Sequence, residues 1–141
     1  MLNNKRFFMG LGILQLFISL GAIPAGISFL LDPSGKGLGM ATDLLKNSPF
    51  INFFIPGLYL LSINGIGNLI GAIFSFRKQK YASNLGMILG SALIIWIVAQ
   101  VYWIGLVSWL QPFFLVVGVI ELFLGYKLML EHYPTNFFSY K

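Results

Sequence analysis

Four long apolar stretches, separated by short gaps that hold nearly all the charge, limit what this chain can fold into. They run from about Phe7 to Leu30, Ile51 to Phe76, Ala82 to Ile104 and Pro112 to Leu130. Each matches the ~20 residues a helix needs to cross the hydrocarbon core of a bilayer. A helix satisfies its own backbone donors and acceptors, which an open strand in lipid cannot do. The expected fold is an all-α integral membrane protein: a four-transmembrane-helix bundle forming a single membrane domain over residues 1–141.

Composition removes the main competing classes. The chain is 57% hydrophobic and 9% charged, against about 25% charged residues in soluble domains. It has no cysteine, which removes disulfides, thiolate chemistry and cysteine-ligated metals, and its single histidine, His132, speaks against an imidazole metal centre. No cofactor is expected. The net charge of +5 does not point to nucleic acid, because the basic residues form no stripe and fall where membrane topology places them. The first apolar run is longer than the ~7–15 residues of a signal-peptide core, so it is expected to be retained as a span.

Basic residues set the direction of threading. Lys5 and Arg6 precede span one, Arg77, Lys78 and Lys80 separate spans two and three, and Lys127 and Lys141 flank the end of span four. These share one side, which the positive-inside bias makes cytoplasmic. The expectation is a multi-pass protein of the cell (cytoplasmic) membrane, with both termini inside. Tyr102, Trp103 and Trp109 then fall at the outer ends of the spans, and Tyr81, Tyr126 and Tyr133 at the inner ends, as interfacial aromatics do. Trp96 sits deeper and reads as packing.

Residues 31–50 form the one sizeable outer loop. Asp32-Pro33-Ser34-Gly35 carries a turn signature. Leu38, Met40, Ala41, Leu44 and Leu45 share one half of a helical wheel, opposite Thr42, Asp43, Lys46 and Asn47, which predicts a short interfacial helix. Asp32, Asp43 and Lys46 are its candidate interfacial residues. The loop can be read as a linker on the membrane surface or as a lid over an outward-facing cavity.

Each span carries a line of small or polar residues at three- and four-residue spacing, which keeps them on one face. Span one has Gly12, Gln15, Ser19, Ala22 and Gly26. Span two has Gly57, Leu61, Asn64, Asn68, Gly71 and Ser75. Span three has Gly86, Gly90, Leu93, Ile97 and Gln100. Span four has Gln111, Phe114, Gly118, Glu121, Gly125 and Leu128. Small residues let membrane helices approach and polar ones bond across the contact, so these faces are expected to meet inside the bundle.

Glu121 is the one charge near the middle of an apolar stretch, Lys127 lying toward the inner end of the same stretch, and an ionisable residue at membrane depth is a functional-site hypothesis by default. At ~1.5 Å per residue, Ser19, Asn64, Asn68 and Glu121 fall near the midplane, with Gln15 roughly 5 Å inward of Ser19 and Gln100 roughly 10 Å outward of the centre of span three. No basic residue shares the depth of Glu121, which is therefore expected to sit there as the neutral acid. Asn64 or Asn68 could supply it with amide donors. Glu121, Asn64, Asn68, Gln100, Gln15 and Ser19 are the candidates for a ligand or proton site. Glu121 and the two asparagines can equally be read as anchors that hold the bundle together.

The segments Leu31-Asp32-Pro33-Ser34-Gly35, Ser48-Pro49-Phe50, Pro56-Gly57-Leu58 and Gly65-Ile66-Gly67-Asn68-Leu69 give a layout that resembles the DoxX-like group of small four-span bacterial membrane proteins. Trp96-Ile97-Val98-Ala99-Gln100 and Ser108-Trp109-Leu110-Gln111-Pro112 look like uncharacterised membrane proteins of this size from Gram-positive bacteria. The resemblance implies an accessory component of a bacterial inner-membrane assembly. It carries over no catalytic residue.

No phosphate loop and no converging Ser/His/Asp set is present, so a lipid-modifying enzyme is disfavoured. The leading expectation is a non-enzymatic membrane protein, either an accessory subunit or a bundle that binds lipid or another hydrophobic ligand. The alternative is a small oligomeric or proton-coupled transporter using Glu121. Expected partners are membrane lipids and a membrane protein or a second copy of the chain. A cavity that reaches Glu121 would favour the transporter.

Overall fold

The computed structural model describes residues 2–132, and side chains from Lys5 to Glu131. Tyr133 and Lys141 lie outside the described residues, as does the side chain of His132.

The chain forms α1 (Leu2–Leu31), two 3-10 turns (Lys36–Leu38 and Thr42–Leu45), α2 (Phe54–Tyr59), a π-helical segment (Leu60–Gly67), α3 (Asn68–Phe76), α4 (Tyr81–Ile104) and α5 (Leu110–His132). The segment α2–π–α3 is one continuous rod. Four helical stretches are long and apolar enough to cross a membrane: Lys5–Leu31, Phe54–Phe76, Tyr81–Ile104 and Leu110–Glu131. Pro56 and Pro112 fall in the first turns of α2 and α5, where a missing N–H breaks no helical bond. At the other end of α4, Gly105 turns the chain with φ 78°, and its N–H donates to Val101 O at 3.0 Å.

The rods form a ring. α1 packs on the α2–π–α3 rod and on α5, while α4 packs on α5, α3 and the π segment. α1 therefore stands diagonally across from α4, and α5 across from α2–π–α3. The α4–α5 contact is close. A Cβ on Gly90 would lie 2.6 Å from Leu122 N, and one on Gly125 2.7 Å from Met87 N. Glycine is required there because backbone meets backbone.

The predicted stripes face this interior. Gly12, Gln15, Ser19, Ala22 and Gly26 are all buried, and so are Asn64, Asn68, Gly71 and Ser75, and Gly118, Glu121, Gly125 and Leu128. The opposite faces are apolar and exposed, with Leu20 at 66% and Ile95 at 64%. At one end, Phe8, Leu11, Ala82 and Leu128 form a core cluster. This is the end that carries Lys5, Arg6, Arg77, Lys78, Lys80 and Lys127, and we call it the termini end.

The other, loop end is built on Phe29, Leu45 and Phe53. The Phe29 and Phe53 rings stack at 4.9 Å. Phe53 N–H donates to Pro33 O at 2.8 Å and so closes the loop. Asp32-Pro33-Ser34-Gly35 forms the expected turn, with Gly35 N–H donating to Asp32 O at 3.1 Å. The short helix expected over Leu38–Lys46 does not form as one element. Gly39, at φ 72°, takes the left-handed conformation that an α-helix cannot pass through and divides the segment into two 3-10 turns. Leu45 alone of the expected apolar half is fully buried, and Asp43 and Lys46 are exposed.

Candidate functional site

Two polar features and one cavity occupy the interior. The first feature links three helices. Ser75 Oγ on α3 donates to Gln15 Oε1 at 2.8 Å, and Gln15 Nε2 on α1 donates to Glu121 Oε2 on α5 at 3.2 Å. All three residues are fully buried. Gly71 makes room for this line, since a Cβ there would lie 2.7 Å from Gln15 Nε2.

The expected donors to Glu121 were Asn64 and Asn68, and the structure supplies Gln15 instead. The reason is the ring. Glu121 lies diagonally opposite the α2–π–α3 rod, while α1 is the neighbour of both. Gln15, one turn closer to the termini end than Ser19, has a side chain long enough to bridge them. Ser19 takes no part, because its hydroxyl donates to Leu16 O of its own helix at 2.8 Å.

The second feature is the junction of the π segment with α3. There the Asn68 backbone N–H donates to Gly65 O. The Asn68 side chain reaches back instead, and its Nδ2 donates to Asn64 O at 3.0 Å. The Asn64 side chain is fully buried, yet neither Nδ2 nor Oδ1 has a hydrogen-bond partner. Asn68 Oδ1 and Glu121 Oε1 also lack one. Unpaired buried polar atoms are costly and rare in native proteins. π-helical turns inside α-helices occur frequently at functional sites.

A cavity of about 810 Å³ lies at the loop end. Ile18, Asn64 and Leu93 line its deep end, and Trp96, Gln100 and Phe114 its flanks. Met40, Leu44, Leu45 and Phe50 of the outer loop roof it. Trp96 is held by a stack on Tyr59 at 5.0 Å, and Tyr59 Oη donates to Ala92 O at 2.9 Å. Among the described residues, no charged side chain lines this cavity.

Glu121 and Gln15 do not line it. A packed cluster of Ile18, Leu93, Ile97 and Val117 lies one turn above Glu121 and closes the cavity floor. The candidates named from the sequence thus separate into two groups. Glu121 and Gln15 belong to the bonded line, and Asn64 and Gln100 belong to the cavity. Asn68 buttresses Asn64. No group of His, Cys, Asp or Glu among the described residues could hold a metal.

Gln111 escaped notice as more than a stripe position. Its side chain bonds three backbone groups of the α4–α5 turn, where Ser108 Oγ also accepts from Leu110 N–H at 3.1 Å. Its Oε1 accepts from Val107 N–H at 2.9 Å and Ser108 N–H at 3.3 Å, and its Nε2 donates to Gly105 O at 3.1 Å and Gln100 Oε1 at 3.4 Å. The available signal was a glutamine in the first turn of a helix, beside a loop with no other side chain able to bond that many backbone groups. In the outer loop, Asp32 Oδ1 accepts from Ser34 Oγ at 2.6 Å and Ser34 N–H at 3.2 Å. The Ser34 hydroxyl bond is the main reason that the Asp32 carboxyl is held below its ordinary range, with backbone N–H groups and Lys36 adding to it.

The chain matches no protein-family model, no curated protein and no solved structure.

Proposed function

We propose that this chain is an integral membrane protein, threaded four times, that binds a lipid or other hydrophobic ligand in the loop-end cavity. The observation that carries this reading is the cavity itself: about 810 Å³, walled by apolar and aromatic side chains, with a few polar groups set among them. Ligand pockets of roughly 300–1,000 Å³ with that kind of lining are the usual form of a small-molecule site. The four apolar rods and their exposed hydrophobic outer faces support lipid as the surrounding solvent.

Both termini are assigned to the cytoplasm, because Lys5, Arg6, Arg77, Lys78, Lys80 and Lys127 gather at the termini end. The cavity then opens on the outer side under the loop, which acts as its roof. The DoxX-like layout supports an accessory role within a bacterial membrane assembly, with this binding as the contribution of the chain. Glu121 is assigned to holding the bundle together, since its carboxyl meets Gln15 and stays outside the cavity.

The test is purification of the full chain in a mild detergent, followed by mass spectrometry of the intact complex and of its extracted lipids. A stoichiometric hydrophobic molecule that is lost when Ala22→Trp fills the cavity supports the proposal. Equal recovery of the same molecules with wild type and with Ala22→Trp overturns it.

A further inference from the structure

The unpartnered amide of Asn64 defines what the ligand carries at its inner end. Asn64 lies in the π segment with a fully buried side chain, and both of its polar atoms are unmatched. Several other polar groups around the cavity are already engaged: Tyr59 Oη with Ala92 O, Ser48 Oγ with Leu45 O, and Gln100 Oε1 with Gln111. Asn64 is thus the one lining amide with both its donor and its acceptor unmet. It sits at the closed end, beside Ile18 and Leu93, while the walls from there to the mouth are mostly apolar and aromatic.

An amide offers two donors and an acceptor. A group that both accepts and donates satisfies it, which describes an alcohol or a primary amide. A bare hydrocarbon leaves Asn64 as it is. An anionic headgroup would be buried with no lining cation to offset it, which is strongly unfavourable. We infer that the loop-end cavity takes a neutral long-chain amphiphile, its alcohol or amide end turned inward onto Asn64 and its chain running toward the mouth between Trp96 and Phe114.

This inference rests on the binding role proposed above and is tested separately from it. The full chain, carrying Trp103→Phe and Trp109→Phe so that Trp96 alone reports, is placed in phosphatidylcholine nanodiscs. Quenching of Trp96 is measured with dibrominated octadecanol, octadecanamide, octadecyl phosphate and octadecane. A companion chain that keeps Trp109 alone, 71% exposed, reports quenching by the bulk bilayer. The alcohol and the amide are expected to quench Trp96 at about tenfold lower mole fraction than the hydrocarbon or the phosphate, the advantage of roughly one to two net hydrogen bonds.

In Asn64→Leu that gap closes, while hydrocarbon quenching is unchanged. The Asn64 side chain makes no hydrogen bond in the protein, so its replacement by Leu removes none. Asn64→Ser, which retains a hydroxyl in a smaller side chain, gives an intermediate gap. Equal quenching by all four compounds, tighter binding of the phosphate, or a gap that survives Asn64→Leu overturns the headgroup assignment and leaves the cavity reading standing. Quenching of Trp96 that never exceeds that of Trp109 overturns both. If Asn64→Leu fails to elute as a folded species, Asn64→Ser and the wild-type series decide the matter.

Discussion

Gln15 gives its amide N–H to Glu121 and takes the hydroxyl of Ser75, so one side chain ties α1 to both α5 and α3. Glu121 is the acceptor that this arrangement needs, and a glutamine carbonyl is an equivalent acceptor. Glu121→Gln is therefore expected to keep the melting temperature in detergent within a few degrees of wild type and to leave ligand binding intact. Glu121→Leu strands the buried Gln15 amide and is expected to cost about 1–3 kcal/mol. Scanning fluorimetry of the two variants checks both. If Glu121→Gln abolishes function while preserving the fold, the anchor role is wrong and a protonation role takes its place. Asp32 supplies a pH-dependent test outside the spans. Its folded-state pKa is lowered, chiefly by Ser34 Oγ, so its contribution to loop stability is present above its ordinary value of 3.8 and is lost as pH falls through the lowered one. Ser34→Ala should raise the Asp32 titration toward 3.8 and loosen the loop at neutral pH, with no difference from wild type in acid. Carboxyl-resolved NMR titration reads this directly.

Between helices, the α4–α5 pair is set by glycine. Gly90→Leu or Gly125→Val places side-chain atoms where backbone already lies and is expected to lower stability by about 1–3 kcal/mol through overpacking. Gly21→Ala meets no atom within 4 Å and serves as the neutral control. Thermal melts of the three variants in one detergent decide the point. The stripe positions were legible in advance because the three- and four-residue spacing of Gly, Asn, Gln and Ser is a local property of one helix, and the ring buries those faces together. What spacing cannot supply is the order of helices around the ring. That order decided that Gln15 and not Asn64 meets Glu121. The π segment was likewise invisible, since Leu60–Gly67 reads as ordinary apolar helix. The outer loop departs from its wheel pattern for a different reason: Gly39 is left-handed, and that single residue turns one helix into two short turns.

At the scale of the whole molecule, the absence of cysteine makes the proposed threading easy to test. Lys36→Cys in the outer loop should react with a membrane-impermeant maleimide on intact cells. Gln79→Cys, between α3 and α4, should react only after permeabilisation. The reverse pattern would invert the orientation and place the cavity on the cytoplasmic side. An outward-facing cavity under the outer loop was one of two readings of the sequence, but its size and lining could not be foreseen, because it arises where α2 and α4 part above the Tyr59–Trp96 stack, a tertiary divergence that no single segment encodes. Ile55 and Ile95 line this parting and are 53% and 64% exposed on the outer faces of their helices. In a bilayer those faces meet acyl chains, so the site is open sideways to the membrane interior as well as upward to the roof. Under the proposed binding role, its occupancy is governed by how many ligand molecules there are per lipid, and the same aqueous dose fills it to different degrees in membranes that dissolve the ligand differently.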